Sequence, residues 1–114
     1  MPHDPRKCLG DIQRAAEFLL QLTSGRTLDE YRSDEVFRSA VERKFEIIGE
    51  ALNRLQKIDP VLAAALPQHR QIISFRNILI HGYDVIDDQV VWDIVQKDLQ
   101  PLLQEVFKLF ERFK

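Results

Sequence analysis

Arg76, Asn77, His81 and Tyr83 interrupt an otherwise apolar stretch, Gln71-Ile-Ile-Ser-Phe-Arg-Asn-Ile-Leu-Ile-His-Gly-Tyr83. An arginine in a run that would bury well costs desolvation unless its guanidinium finds a partner. Its planar fork of donors suits a carboxylate or a phosphate. Histidine titrates near neutrality and can act as general acid or base. The tyrosine hydroxyl can donate, accept or be modified. The group could therefore bind a phosphate and move protons beside it. Spacing alone does not bring it together. Positions 76 and 81 lie about 140° apart on an ideal helix, so they do not share a face. Positions 76 and 83 are nearly in phase, but Gly82 is expected to end the helix between them. The side chains converge only if the helix end bends His81 back, or if a cleft forms between helices. Taken singly, each has a structural use. Arg76 can pair with a carboxylate such as Glu50 or Asp84, and a histidine before glycine can cap a helix C-terminus, where its charge suits the macrodipole.

The elements that must position these residues read as helices. Asp4-Pro5 has the form of an N-cap followed by proline at the first helical position. Leu9, Ile12, Ala16, Leu19 and Leu20 then recur at helical spacing, and Gly25 reads as the stop. Gly10 inside this helix costs roughly 1 kcal/mol relative to alanine, and signals either close approach of a neighbour or mild weakness. Thr27 and Glu30 have capping-box spacing. A second helix start is expected at Ser33. From there Phe37, Val41, Ile48, Leu52 and Leu55 form a stripe, with Val36, Ala40, Ile47 and Ala51 beside it. So wide a stripe predicts packing on two sides. Asp59-Pro60 repeats the cap-plus-proline signature and opens a short helix ending at Leu66-Pro67. The stretch 71–81 has the composition of a strand, but its apolar residues fall in pairs and triplets rather than alternating. Length and context favour a helix ending at Gly82, with Gly82-Tyr83-Asp84 as the turn. Asp87 or Asp88 caps the last helix. Val91, Val95, Leu99, Leu102, Val106, Phe110 and Phe113 line its face, and Pro101 predicts a kink near that point. The expected fold is all-α: an antiparallel bundle of about four main helices plus a short one, in one domain spanning residues 1–114.

Composition narrows the function classes. The chain of 114 residues is 45% hydrophobic and 30% charged, with 16 basic and 18 acidic residues. That is an ordinary balance for a globular domain. It excludes a broad basic surface that coats nucleic acid, so any RNA must bind where a few cations converge. The single Cys8 excludes an internal disulfide and a cysteine-based zinc cage. There is no apolar run of transmembrane length and no signal-like amino terminus, which points to the cytoplasm.

The stretch Arg76-Asn77-Ile78-Leu79-Ile80-His81-Gly82-Tyr83 resembles the Arg-x4-His-x-Tyr motif of the HEPN superfamily, specifically its HepT-like branch. Gly49-Glu50-Ala51 is similar to that branch's Gly-Glu-Ala element. Tyr83-Asp84, Ile86-Asp87, Val91-Trp92 and Leu99-Gln100-Pro101-Leu102 are similar to its downstream pattern. Together these cover the chain from Ser33 to the last helix, while the first helix carries no diagnostic motif. The resemblance implies a homodimeric helical bundle that acts as a metal-independent endoribonuclease, the toxin of a type VII-like HEPN/MNT toxin–antitoxin pair. It implies that Arg76 and His81 are catalytic, with two copies meeting across a dimer interface. It implies further that Asn77 supports them, and that Tyr83 is the residue to which an MNT-type nucleotidyltransferase antitoxin attaches AMP. RNA is the implied substrate, with no cofactor and no metal. The reading from a different class is a non-catalytic helical adaptor that binds a nucleotidyltransferase.

The remaining polar residues have structural readings. Glu46 and Glu50, at i and i+4, could be metal ligands, but read rather as a solvated face or as partners for Arg43 or Arg76. His3 and His69 read as surface residues. Asp84, Asp87 and Asp88 form an acidic turn that caps a helix rather than binding a cation. Trp92 reads as a core or dimer contact, and Cys8 as unreactive.

Overall fold

A computed structural model describes residues 4–81 and 87–113. Every regular element among them is helical. In chain order these are α1 (Pro5–Thr23), α2 (Leu28–Ser33), α3 (Glu35–Ile58), α4 (Pro60–Ala64), α5 (His69–His81), α6 (Asp88–Asp93) and α7 (Leu99–Glu111). A single π turn, Ile94–Asp98, joins the last two. His3 and residues 82–84, where a turn is expected, lie outside the described residues.

Local chemistry sets most of the helix ends. The Asp4 carboxylate accepts from the backbone N–H of Arg6 at 2.9 Å, and Pro5 occupies the first turn, where its missing N–H costs nothing. Gly25 follows α1 with φ of +73°, the left-handed geometry that a glycine adopts freely. The box at Thr27 is complete. Its hydroxyl accepts from Glu30 N–H at 3.2 Å, and the Glu30 carboxylate accepts from Thr27 N–H at 3.1 Å. Asp59 and Asp87 cap α4 and α6 in the same way. The start expected at Ser33 falls one residue later. Ser33 closes α2, and Asp34 caps α3 by accepting from Phe37 N–H at 3.1 Å. Among the described residues three helices are short, α2, α4 and α6, where one was expected.

The stripe on α3 is buried at Phe37, Val41, Ile48, Leu52 and Leu55, and Phe45, outside the expected stripe, is buried with it. α3 packs on α1 along one side and on α5 along the other, as its width predicts. Val36 does not join the stripe and is exposed. Leu9, Ile12, Ala16 and Leu19 of α1 face the same core, as do Val91, Val95, Leu99, Leu102 and Val106 of the last helical arm, while Phe113 at its end is exposed. Each large side chain so buried contributes roughly 1.5–3 kcal/mol. The break expected near Pro101 lies upstream of it. Proline offers no N–H, and its ring crowds the carbonyl four residues back, here Lys97. The widened turn absorbs this, and Leu99 N–H donates to the Ile94 carbonyl, five residues back.

A polar clasp joins α2, α3 and α6. Arg38 donates to Asp88 at 2.7 Å, pairs with Glu42 at 3.1 Å and lies 4.7 Å over the Tyr31 ring. The Tyr31 hydroxyl donates to Glu42 at 3.2 Å. Burial, and then the Glu42 charge, hold that hydroxyl far above its ordinary pKa. Tyr31 also stacks on Trp92, with centroids 5.8 Å apart, so Trp92 is a core residue. The clasp fixes the start of α6 against α3.

Candidate functional site

α5 carries the site. Ile72 and Phe75 bury against α3, where Phe75 stacks on Phe45 at 5.4 Å between centroids. The helix stays regular through His81, so the strand alternative for 71–81 is set aside. Regularity also keeps the helical offset between Arg76 and His81. They stand about 7.5 Å apart along the axis and on different faces. The helix end does not bend His81 back, so one copy of α5 does not fold both groups around one atom.

Arg76 is held from two directions. Its Nε donates to Glu50 Oε2 at 2.9 Å, and its Nη2 donates to the same oxygen. Its Nη1 donates to Asn77 Oδ1 at 2.6 Å. Glu50 also faces Arg54, whose Nε lies 3.5 Å from Oε1. The Arg76 side chain is only 18% exposed against 38% for Glu50. Most of the guanidinium's desolvation is therefore offset by Glu50, and the pair is worth more than a fully solvated one. Of the guanidinium's five N–H donors, three are directed at Glu50 and Asn77. One on each Nη remains to meet an anion.

The approach of α3 makes this pairing possible. A methyl group at Gly49 would overlap Arg76 Cβ and lie 3.0 Å from Arg76 Cγ and 3.1 Å from the Ile72 carbonyl. Gly49 lets the two helices close until the next residue, Glu50, reaches the guanidinium. Gly10 has no such duty, since the nearest atom to a methyl there is the tip of Arg14, 3.5 Å away.

The carboxylates Glu46 and Glu50 act as arginine partners. Glu46 accepts from Arg43 at 2.9 Å. Together with Asp11, Arg54 and Ile80 they border a cleft of about 270 Å³. Among the described residues no three His, Cys, Asp or Glu side chains converge as a metal site would require. Cys8 is buried, and burial pushes its thiol pKa up, away from reactivity. Asn77 and His81 are exposed, and His69 is half-buried. Tyr83 lies outside the described residues. Among the described helices, none is long and apolar enough to cross a membrane.

Residues 12–109 match the family described as "Ribonuclease HepT-like". A protein of Caldanaerobacter subterraneus subsp. tengcongensis, named as a candidate RNase, is 29% identical over 110 residues, covering 96% of this chain and 97% of its own. A Methanocaldococcus jannaschii protein with the same kind of name is 32% identical over 103 residues, covering 90% and 94%. A Thermococcus cleftensis protein, named as a candidate ribonuclease HepT, is 30% identical over 109 residues, covering 96% and 98%. No solved structure matches the chain.

Proposed function

This chain belongs to the HepT-like ribonuclease family, and on that premise we propose that it is a metal-independent endoribonuclease, working as a homodimer and serving as the toxin of a type VII-like HEPN/MNT toxin–antitoxin pair. The observation that supports it best is the state of Arg76. Its guanidinium is oriented by Glu50 and Asn77, keeps donors for a phosphate, and sits on the same regular helix as an exposed His81.

Cutting RNA without a metal asks for three things. The ribose 2′-hydroxyl must lose a proton, the phosphorane must be stabilised, and the 5′-oxygen must gain a proton as its bond to phosphorus breaks. One imidazole handles one proton at a time. In the proposed homodimer the second acid–base group is His81 of a second copy. One imidazole takes the 2′-proton, and the other gives a proton to the leaving oxygen. The Arg76 pair holds the phosphate as charge builds on it. The first product carries a 2′,3′-cyclic phosphate.

The purified chain is expected to cut single-stranded RNA in excess EDTA and to leave cyclic phosphate ends, read by end-specific labelling. Cutting only after magnesium is restored would overturn the metal-independent mechanism. Intact RNA under both conditions would leave the helical adaptor.

Tyr83, two residues beyond His81, is the proposed acceptor of AMP from the antitoxin. The adduct adds bulk and a negative phosphodiester where RNA phosphate must approach. Tyr83→Phe is expected to remain active when incubated with the nucleotidyltransferase and ATP, while the parent is silenced. Equal silencing of both would place the modification elsewhere.

A further inference from the structure

Arg70, Ser74, Asn77 and His81 follow one another at i, i+4, i+7 and i+11, which keeps them within about 60° of one another on α5. All four are exposed. The first three, with Ile73 of α5 and Gln56 of α3, line an open groove of about 350 Å³. Its lining offers a cation, two amides and a hydroxyl over a single aliphatic floor residue. Asn77 belongs both to this groove and to the Arg76 cluster, because its Oδ1 accepts from Arg76. The groove therefore opens directly onto the proposed cutting site. Arg70 differs from most arginines of the chain, since among the described residues no carboxylate forms an ion pair with it. Arg6, Arg14, Arg26, Arg38, Arg43 and Arg76 each have one.

We propose that this groove is a subsite for the single-stranded RNA backbone flanking the cut. Arg70 binds a phosphate outside the scissile linkage, and Gln56 and Ser74 hydrogen-bond the sugar or base edges between. The assignment rests on the ribonuclease reading and extends it. Arg70 and His81 are eleven residues apart, about 16 Å along the helix, so the contacted phosphate belongs to a neighbouring nucleotide and not to the one attacked. An unpaired, exposed cation releases counterions on binding a phosphate, whereas a cation already held by a carboxylate releases few. The contact thus has a salt signature of about 0.7 in the slope of log K against log salt for a single strand.

The test measures binding of a fluorescent single-stranded oligoribonucleotide by anisotropy, in a His81→Ala background so that the strand survives. Adding Arg70→Gln is expected to weaken binding roughly tenfold at low salt and to lower the salt slope by somewhat less than one. Arg70→Lys recovers most of the affinity as a point charge. Lys97→Gln, at an exposed cation on the π turn, leaves both quantities unchanged. Unchanged binding in Arg70→Gln, or an equal loss in Lys97→Gln, overturns the subsite. A parent chain that binds RNA through Arg70 but never cuts it overturns the nuclease reading and leaves the subsite standing. A parent that binds no RNA overturns both.

Discussion

Replacing His81 with alanine is expected to lower the rate of RNA cleavage by roughly 10²–10⁴-fold, the range for losing a general acid–base group, while leaving the chain folded. The two halves of that expectation come from different observations. The side chain is exposed at the end of α5, away from the buried Ile72 and Phe75, so truncating it opens no cavity. A symmetric dimer would lose both imidazoles at once, and with them both proton transfers. Single-turnover cleavage of a defined oligoribonucleotide, beside thermal unfolding followed by circular dichroism, separates the two effects. Parent-like cleavage by a folded His81→Ala protein would remove histidine from the mechanism. Arg76→Ala differs in kind, because it also leaves the half-buried Glu50 carboxylate without its main partner and so lowers stability as well as rate.

Gly49→Ala and Gly10→Ala are expected to move stability in opposite directions, although both exchange a glycine for the best helix former. Each gains about 1 kcal/mol of helix propensity. At Gly10 nothing opposes the gain, since the nearest atom is the movable end of Arg14, and the variant becomes more stable. At Gly49 the new methyl meets the root of Arg76 and the Ile72 carbonyl, neither of which moves without shifting α5. Overpacking of that kind costs typically 1–3 kcal/mol. That exceeds the propensity gain, and Gly49→Ala loses stability on balance. The same shift draws Arg76 away from Glu50, so cleavage falls with it. Urea unfolding of the two variants reads the sign directly. A more stable Gly49→Ala would mean that α5 gives way easily and that Gly49 does not set the pairing.

The caps at Asp4, Thr27 and Asp59 were legible because each is a conversation between residues two or three apart, while Asp87 was legible only as one of two neighbouring aspartates. The stripes on α1, α3 and the last arm were legible because burial follows helical period over many turns. The partner of Arg76 was narrower than a guess but wider than an answer. Glu50 and Asp84 were both candidates, and choosing needed the α3–α5 approach at Gly49, which joins residues 26 positions apart. Pro101 announced an irregularity without giving its place, since the ladder relaxes on the upstream side where the crowded carbonyl sits. The one-residue shift from Ser33 to Asp34 reflects two cap-forming residues in a row, decided by which side chain reaches Phe37 N–H. The Tyr31–Arg38–Glu42–Asp88 clasp does not show in the spacing, and the groove at Arg70 shows only in the helical spacing of Arg70, Ser74 and Asn77, without Gln56 from α3. Each draws its members from more than one helix.

With most arginines already neutralised by nearby carboxylates, and a formal net charge of −2, the chain projects little long-range attraction toward a polyanion. Encounter with an RNA substrate would then proceed by unassisted diffusion, at the roughly 10⁵–10⁷ M⁻¹s⁻¹ of unsteered partners rather than the 10⁸–10⁹ M⁻¹s⁻¹ reached by charge-guided ones. A ribonuclease so built cuts an abundant RNA far faster than a scarce one, because its capture rate scales with substrate concentration alone.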